Sequence, residues 1–119
     1  MDRSALTMTC LLGTAGVTHF IRPKPFDSIV PPGLGSPRFW TYASGAAELV
    51  SAALIAVPRT RALGGLAATA LMIGVYPANI YTVRKYWSSP AGRAAALARL
   101  PLQLPLIRMS WRIASGDSR

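Results

Sequence analysis

Four polar side chains that can move protons or form hydrogen bonds lie within otherwise apolar stretches of the sequence: His19, Glu48, Asn79 and Gln103. A histidine next to a carboxylate can transfer a proton, which is the step that quinone chemistry requires. Tyr42 and Tyr76 fall in the same part of the predicted helices and complete the set of pocket candidates. These six residues form the candidate ligand site.

The sequence has too few suitable residues for other kinds of catalytic or cofactor-binding site. One histidine cannot supply both axial ligands of a bis-histidine haem, and no Cys/His metal spacing or glycine-rich phosphate loop is present. The single cysteine, Cys10, is interpreted as a small apolar residue within a helix. We therefore assign no catalytic residue and no metal ligand, and the sequence leaves open whether the protein is an enzyme.

The elements that must position these side chains are apolar stretches of membrane-spanning length. Ser4–Ile21, Trp40–Val57 and Ala62–Val83 each hold 18 residues or more with at most one acidic or basic residue, and a helical span needs about 20, with about 17 tolerated. Leu97–Ile113 is interrupted by prolines and arginines. It spans if its arginines face the bundle or reach the interface, and it is otherwise an interfacial helix.

The predicted fold is all-α: a four-helix transmembrane bundle forming a single domain over residues 1–119, with helices at about 4–21, 37–57, 61–83 and 90–114. Ser36-Pro37 and Ser89-Pro90 each pair an N-cap residue with proline at the first helical position. The short 58–61 turn makes the helices on either side of it antiparallel neighbours. Three rows of small residues predict close helix packing: Ala5, Thr9, Gly13; Ala43, Ala47, Ser51; and Ala70, Gly74, Ala78.

The connection between the first two predicted helices, residues 22–39, is rich in proline. Proline at this density predicts a loop without helix. Two interpretations remain open for this loop: a lid across one end of the bundle, or an ordered connector without a function.

Depth along the helices groups the polar residues. We call the side carrying the 22–39 and 84–96 loops the loop face. At about 1.5 Å per residue, His19 lies about 3 Å, Glu48 about 12 Å, Asn79 about 6 Å and Gln103 about 9 Å beneath it. A carboxylate at such depth costs at least about 2.5 kcal/mol unless it has a partner or a wet cavity.

Candidate partners for Glu48 are His19, Asn79 and Gln103, with Arg99 or Arg22 as possible counter-charges. The competing interpretation is that these groups are interhelical hydrogen bonds that only hold the bundle together. Pro77 leaves the carbonyl of Ile73 without its amide partner, which predicts a kink and open space near Asn79.

The charge distribution predicts contact with lipid. The chain has 13 Lys+Arg against 4 Asp+Glu, a net charge of +9. The basic residues sit in short clusters between apolar stretches, which is typical of loops at anionic lipid headgroups and not of a nucleic-acid surface. Seven lie on the loop face and six on the other, so charge alone does not orient the protein.

Six motifs in order resemble the DoxX-like family of small bacterial integral membrane proteins: Gly16–Phe20, Pro23–Pro32, Ser44–Glu48, Pro58–Arg61, Tyr76–Ile80 and Arg99–Gln103. The resemblance covers residues 10–112. It implies a four-helix membrane bundle with His19, Glu48, Asn79 and Gln103 at pattern positions, and it implies that both termini are cytoplasmic. Relatives include a subunit of a thiosulfate:quinone oxidoreductase. The single Cys10 departs from any thiol exchange within the chain.

Three functions follow as hypotheses for this multi-pass protein of the cell membrane. The first is an accessory or scaffold subunit that binds other membrane subunits. The second is a redox subunit that binds a quinone or a lipid in the polar pocket. The third is a small transporter, which a chain of this size forms only as a homo-oligomer.

Overall fold

The computed structural model describes residues 3–116, and every regular element in that range is helical. The elements are α1 (Arg3–Ile21), α2 (Pro23–Asp27), α3 (Pro37–Ala56), a 3₁₀ turn (Pro58–Thr60), α4 (Arg61–Lys85) and α5 (Pro90–Ala114). Residues 1–2 and 117–119 of the predicted 1–119 domain, including the basic Arg119, lie outside the described residues. The described chain thus has four long helices and one short one.

The short helix α2 corrects the prediction that the 22–39 connection excludes helix. Pro23 and Pro25 occupy the first turn of α2, where backbone amides have no carbonyl partner in any helix. Their missing N–H groups therefore cost α2 nothing. The helix ends at Asp27, and the Ser28 amide donates to the Lys24 carbonyl over 3.1 Å. Proline position within the segment, and not proline number, decides its conformation.

Side chains fix the ends of the long helices. The predicted N-caps are confirmed: Ser36 Oγ accepts from the Phe39 amide (3.3 Å) and Ser89 Oγ from the Gly92 amide (3.4 Å). At the other end of α3, the Thr60 hydroxyl donates to the Leu54 carbonyl over 2.8 Å. Carbonyls that the helix end leaves unpaired are thus satisfied within the tight turn.

The long helices form a ring in which α1 packs on α3, α3 on α4, α4 on α5, and α5 back on α1. The apolar core lies in the half of the ring away from the loop face, and it consists of Ala5, Met8, Leu12, Ala52, Ile55, Ala68 and Ile113. The molecule is elongated, 44 × 26 × 22 Å. The half nearer the loop face holds the polar residues.

Glycines allow the closest helix approaches. A Cβ on Gly16 of α1 would lie 2.7 Å from Leu49 Cγ, and one on Gly65 of α4 would lie 2.4 Å from the backbone nitrogen of Ala114. By contrast, Gly13 and Gly74 of the predicted small-residue rows would meet nothing within 4 Å. Ala5 and Ser51 of the same rows are buried. Spacing alone thus located only part of the contacts, because it does not state which side of each helix faces a neighbour.

Two helical stretches of the described chain are long and apolar enough to cross a membrane, Arg3–Ile21 and Pro58–Lys85. Helices α3 and α5, with 20 and 25 residues, are long enough but are not apolar enough by the same measure. Five hydroxyl side chains in the long helices donate to a carbonyl four residues earlier in their own helix: Thr9, Thr18, Thr69, Thr82 and Ser110.

Candidate functional site

A cavity of about 650 Å³ occupies the half of the ring nearer the loop face. All four long helices line it, and residues 26–34, which we call the lid segment, contribute Phe26, Ile29, Val30, Pro31 and Leu34. Most of its lining is apolar, and its polar lining residues are His19, Thr41, Ser44, Glu48, Asn79, Arg99 and Gln103. Four of the six predicted site residues therefore line one cavity.

His19 and Glu48 form a buried pair between α1 and α3. His19 Nδ1 lies 3.2 Å from Glu48 Oε1 and 2.6 Å from the carbonyl oxygen of Ala15. Since a carbonyl only accepts, Nδ1 carries the hydrogen and donates it. Gly45 leaves room for the imidazole, because a Cβ at that position would lie 2.8 Å from His19 Cβ. The ring stacks on Phe26 with centroids 3.7 Å apart.

This contact corrects the predicted depth of His19. Depths of about 3 Å for His19 and about 12 Å for Glu48 would separate the two side chains, yet they touch. The chain continues past Ile21 into α2, where Asp27 accepts a hydrogen bond from Thr41 of α3. The contact therefore places the two side chains at the same level in the bundle.

Asn79 and Gln103 form a second buried pair, between α4 and α5. Asn79 Nδ2 donates to Gln103 Oε1, and Gln103 Nε2 donates to the carbonyl oxygen of Met72, both over 3.2 Å. Because the Met72 carbonyl can only accept, the side-chain NH₂ group of Gln103 must face it, which turns the Gln103 oxygen toward Asn79. Asn79 must then present its own NH₂ group to that oxygen. Helix α4 is continuous through Pro77. Gln103 donates to the Met72 carbonyl, one residue before the Ile73 carbonyl that Pro77 leaves without its amide partner.

The predicted counter-charges do not reach Glu48. Within residues 3–116, ion pairs join only His19 to Glu48 and Asp27 to Arg38. Arg99 lines the cavity without an ion pair in that range, and Arg22 is exposed and does not line it. The buried carboxylate is therefore paired with the imidazole alone.

Side chains from α3 and α4 hold the lid segment over the cavity. Arg38 Nε donates to Asp27 Oδ2 over 2.8 Å, and the Thr41 hydroxyl donates to the other carboxylate oxygen. Trp40 Nε1 donates to the Leu34 carbonyl over 2.7 Å, and Lys85 donates to the carbonyl of Ser28. The hydrogen bond from Thr41, together with the Arg38 guanidinium, holds the pKa of Asp27 below its ordinary value of 3.8.

Comparison with known protein families assigns the chain to one of them. The model of the family described as Domain of unknown function (DUF8561) matches residues 8–114. The chain belongs to that family. No curated protein matches the chain, and no solved structure matches it. The matched range contains both buried pairs and the lid segment of this DUF8561 protein.

Two predicted site residues of the DUF8561 chain lie away from the cavity. Tyr42 is 38% exposed, stacks on Phe20 with centroids 5.1 Å apart, and lies under the guanidinium of Arg38. Tyr76 is half-buried and does not line the cavity. Both tyrosines lie at the same depth in the bundle as the cavity, but their side chains point to other sides of their helices than the side chains that line it.

The sequence did not predict that Phe26, Asp27 and Trp40 belong to the site. In this DUF8561 protein Phe26 and Trp40 line the cavity, and Asp27 helps to hold the lid segment. A sequence signal was present for Asp27, which is one of only four acidic residues and lies in the loop that was considered as a lid. The complete site combines an apolar chamber, two polar pairs in its wall and a tethered lid. It can hold a small molecule and orient its polar end.

Proposed function

We propose that this protein is a multi-pass membrane protein whose four long helices cross the bilayer and whose cavity binds a small amphipathic molecule. The observation that carries the proposal is the cavity of about 650 Å³, with apolar walls and two buried polar pairs. Ligand sites typically measure about 300–1,000 Å³ and combine apolar walls with a few placed polar groups.

The surface of the described helices supports the membrane part of the proposal. Each long helix exposes large apolar side chains, among them Leu6, Val50, Leu66 and Leu102. Such a surface is unfavourable in water and suits acyl chains. The long dimension of 44 Å compares with about 40–45 Å for a bilayer including its headgroups. Hydroxyls bonded within their own helices also suit a medium without water.

The ligand class follows from the division of the cavity into apolar and polar parts. An apolar body would pack against residues such as Leu12, Val75 and Leu106, while an oxygen-bearing head would meet the two polar pairs. Quinones and lipids both have this form. The resemblance to DoxX-like proteins favours the same classes but stays a prediction, because the matched family carries no assigned function.

A ligand-binding accessory subunit fits this geometry better than an enzyme acting alone. The described cavity offers one imidazole and one carboxylate for proton transfer and no second reactive centre. A transporter is less well supported. The lid segment lines one end of the cavity, and Met72 and Leu106 join the packed core at the other.

Filling the cavity tests the proposal. Gly74 lines the cavity, and a Cβ there would meet nothing within 4 Å, so Gly74→Phe places a ring in open space. Gly13 offers the same open space on α1 but does not line the cavity, so Gly13→Phe is the matched control. Native mass spectrometry of protein released from its membranes measures bound small molecules.

We expect wild type and Gly13→Phe to retain a bound amphipathic molecule and Gly74→Phe to lose it. Equal retention by the two variants, or an empty wild-type protein, contradicts ligand binding in this cavity. The same samples report any co-purifying subunit, which identifies the complex that the accessory function requires.

A further inference from the structure

We propose that the head group of the ligand is a hydrogen-bond donor, a hydroxyl and not a bare carbonyl or ether. This inference rests on the proposed function, since it describes what the cavity binds. The inference depends on which donor and acceptor atoms of the cavity wall already have a hydrogen-bond partner within the protein and which do not.

The donors of the buried wall are largely engaged within the protein. Gln103 Nε2 donates to the Met72 carbonyl and lies 3.3 Å from its sulfur, and Asn79 Nδ2 donates to Gln103. His19 Nδ1 donates to the Ala15 carbonyl. Trp40, which also lines the cavity, uses its single N–H on the Leu34 carbonyl.

Two buried acceptor atoms of the cavity wall take no hydrogen bond. They are Asn79 Oδ1 and Oε2 of the Glu48 carboxylate, neither of which has a hydrogen bond within residues 3–116. Asn79 and Glu48 are only 5% and 9% exposed. Buried acceptors are normally satisfied, so a ligand that brings O–H groups completes this wall. A ligand with only carbonyl or ether oxygens brings further acceptors to it.

The remaining donors fit the same head group. Arg99 lines the cavity as an exposed residue, Ser44 offers a hydroxyl that can donate or accept, and Asn79 keeps one N–H hydrogen. A hydroxyl donates one hydrogen and accepts on its lone pairs, so it satisfies one buried acceptor and accepts from one or two of these donors. Phe26, stacked on His19, adds an aromatic surface suited to a phenolic ring.

A pair of probes that differ only in the donor tests the inference. Nonylphenol and nonylanisole share ring and chain, but the methyl ether of the second cannot donate. Full-length protein in lipid nanodiscs is titrated with each probe, and affinity is measured by quenching of tryptophan fluorescence. We expect nonylphenol to bind about tenfold more tightly, which is the effect of one hydrogen bond to a buried acceptor.

Two variants and one control variant locate the effect. Glu48→Gln keeps the side-chain shape but replaces one carboxylate oxygen with a donating amide, so the preference for the phenol should fall severalfold. Gly74→Phe should weaken both probes, whereas Gly13→Phe should weaken neither.

The outcomes separate the two proposals. Equal affinities, or tighter binding of nonylanisole, overturn the donor inference and leave ligand binding intact. If neither probe binds, or if Gly74→Phe leaves both affinities unchanged, the cavity is not the binding site and the donor inference falls with the proposed function.

Discussion

His19 is fixed from three directions, and this fixation determines what the residue can do. The Ala15 carbonyl engages Nδ1, Phe26 stacks on the ring, and Gly45 allows the close approach to α3. An imidazole held in one orientation is prepared for a ligand and loses little conformational entropy on binding. This fixation supports the proposal that the pair with Glu48 belongs to a binding site and does not only hold the helices together.

Removing either member of the pair should weaken ligand binding. We expect His19→Ala and Glu48→Gln each to lower affinity for the nonylphenol probe about tenfold, because each takes away a polar contact in a buried wall. Fluorescence titration in nanodiscs provides the measurement. Tyr42→Phe is the control, since Tyr42 lies outside the cavity.

A purely structural role predicts the opposite pattern. If His19→Ala and Glu48→Gln keep wild-type affinity and also retain any co-purifying subunit, the pair only stabilises the bundle.

Four residues of the cavity wall were predicted from the sequence, because their positions along the helices place them at a similar distance beneath the loop face. Depth does not report direction around a helix, and Tyr42, six residues before Glu48, points about 120° away from it. Helical direction was available from the sequence and would have removed Tyr42. The contact between Phe26 and His19 was not predictable in this way, because it depends on where the connection folds back.

At the scale of the elements, glycine contacts determine how closely α4 and α5 pack. A Cβ on Gly65 would lie 2.4 Å from the Ala114 nitrogen and 2.8 Å from the Ile113 carbonyl carbon, both backbone atoms that cannot rotate away. The two helices must therefore move apart when a methyl group is added.

We expect Gly65→Ala to lower the free energy of unfolding by about 1–3 kcal/mol, the usual cost of overpacking. Denaturant unfolding in detergent, followed by circular dichroism, provides the measurement. Gly13→Ala, with open space around the new methyl group, should leave stability unchanged or raise it slightly. Equal stability of the two variants would show that the α4–α5 contact is looser than described.

The lid segment depends on charge as well as on shape. Because the pKa of Asp27 is held below 3.8, the carboxylate is ionised at neutral pH and keeps its bonds to Thr41 and Arg38. A lowered folded-state pKa stabilises the folded lid above the unfolded value, and this contribution is lost as pH falls through the folded value. The lid should stay in place from neutral pH down to about 3.8.

Asp27→Asn should release the lid at neutral pH, since an amide cannot pair with the Arg38 charge. We expect hydrogen exchange of the amides in residues 28–35 to become severalfold faster at a fixed pH, measured by mass spectrometry. Lys24→Gln changes a charge in the same short helix without touching this contact and serves as the control. Unchanged exchange in Asp27→Asn would show that the other tethers hold the lid alone.

Local signals in the sequence predicted the long helices better than the short one. The Ser-Pro caps at 36–37 and 89–90 act within one turn, so they could be recognised without knowing the fold. Helix α2 has only five residues, and an isolated helix of that length is unstable in water. Its stability comes from packing on α3 and from the bonds of Asp27, which no local pattern reveals.

For the whole molecule, the proposed crossing of four helices fixes which loops share a side of the membrane. The 3₁₀ turn at Pro58–Thr60 must lie on the side of both termini, and the 86–89 connection on the opposite side. The direction is a separate prediction, which rests on the DoxX-like resemblance and has the termini in the cytoplasm.

Cysteine labelling tests this topology, because Cys10 is the single cysteine and can be replaced by alanine. In that background we expect a membrane-impermeant maleimide to label the Ser88→Cys variant in intact cells. The Arg59→Cys variant should be labelled only after the membrane is opened. Labelling of both variants from one side would contradict a four-span arrangement, and reversed labelling would contradict only the direction.

The lid segment belongs to a connection between helices and not to a helix of the ring, and this affects how quickly the cavity can exchange its contents. Loop motions take nanoseconds to microseconds, whereas rearrangements of packed helices take microseconds to milliseconds. An occupant that leaves beneath the lid segment need not separate α1 from α3 or α4 from α5. Its residence time is then set by a few tethers at the mouth, while the ring of helices stays intact through every exchange.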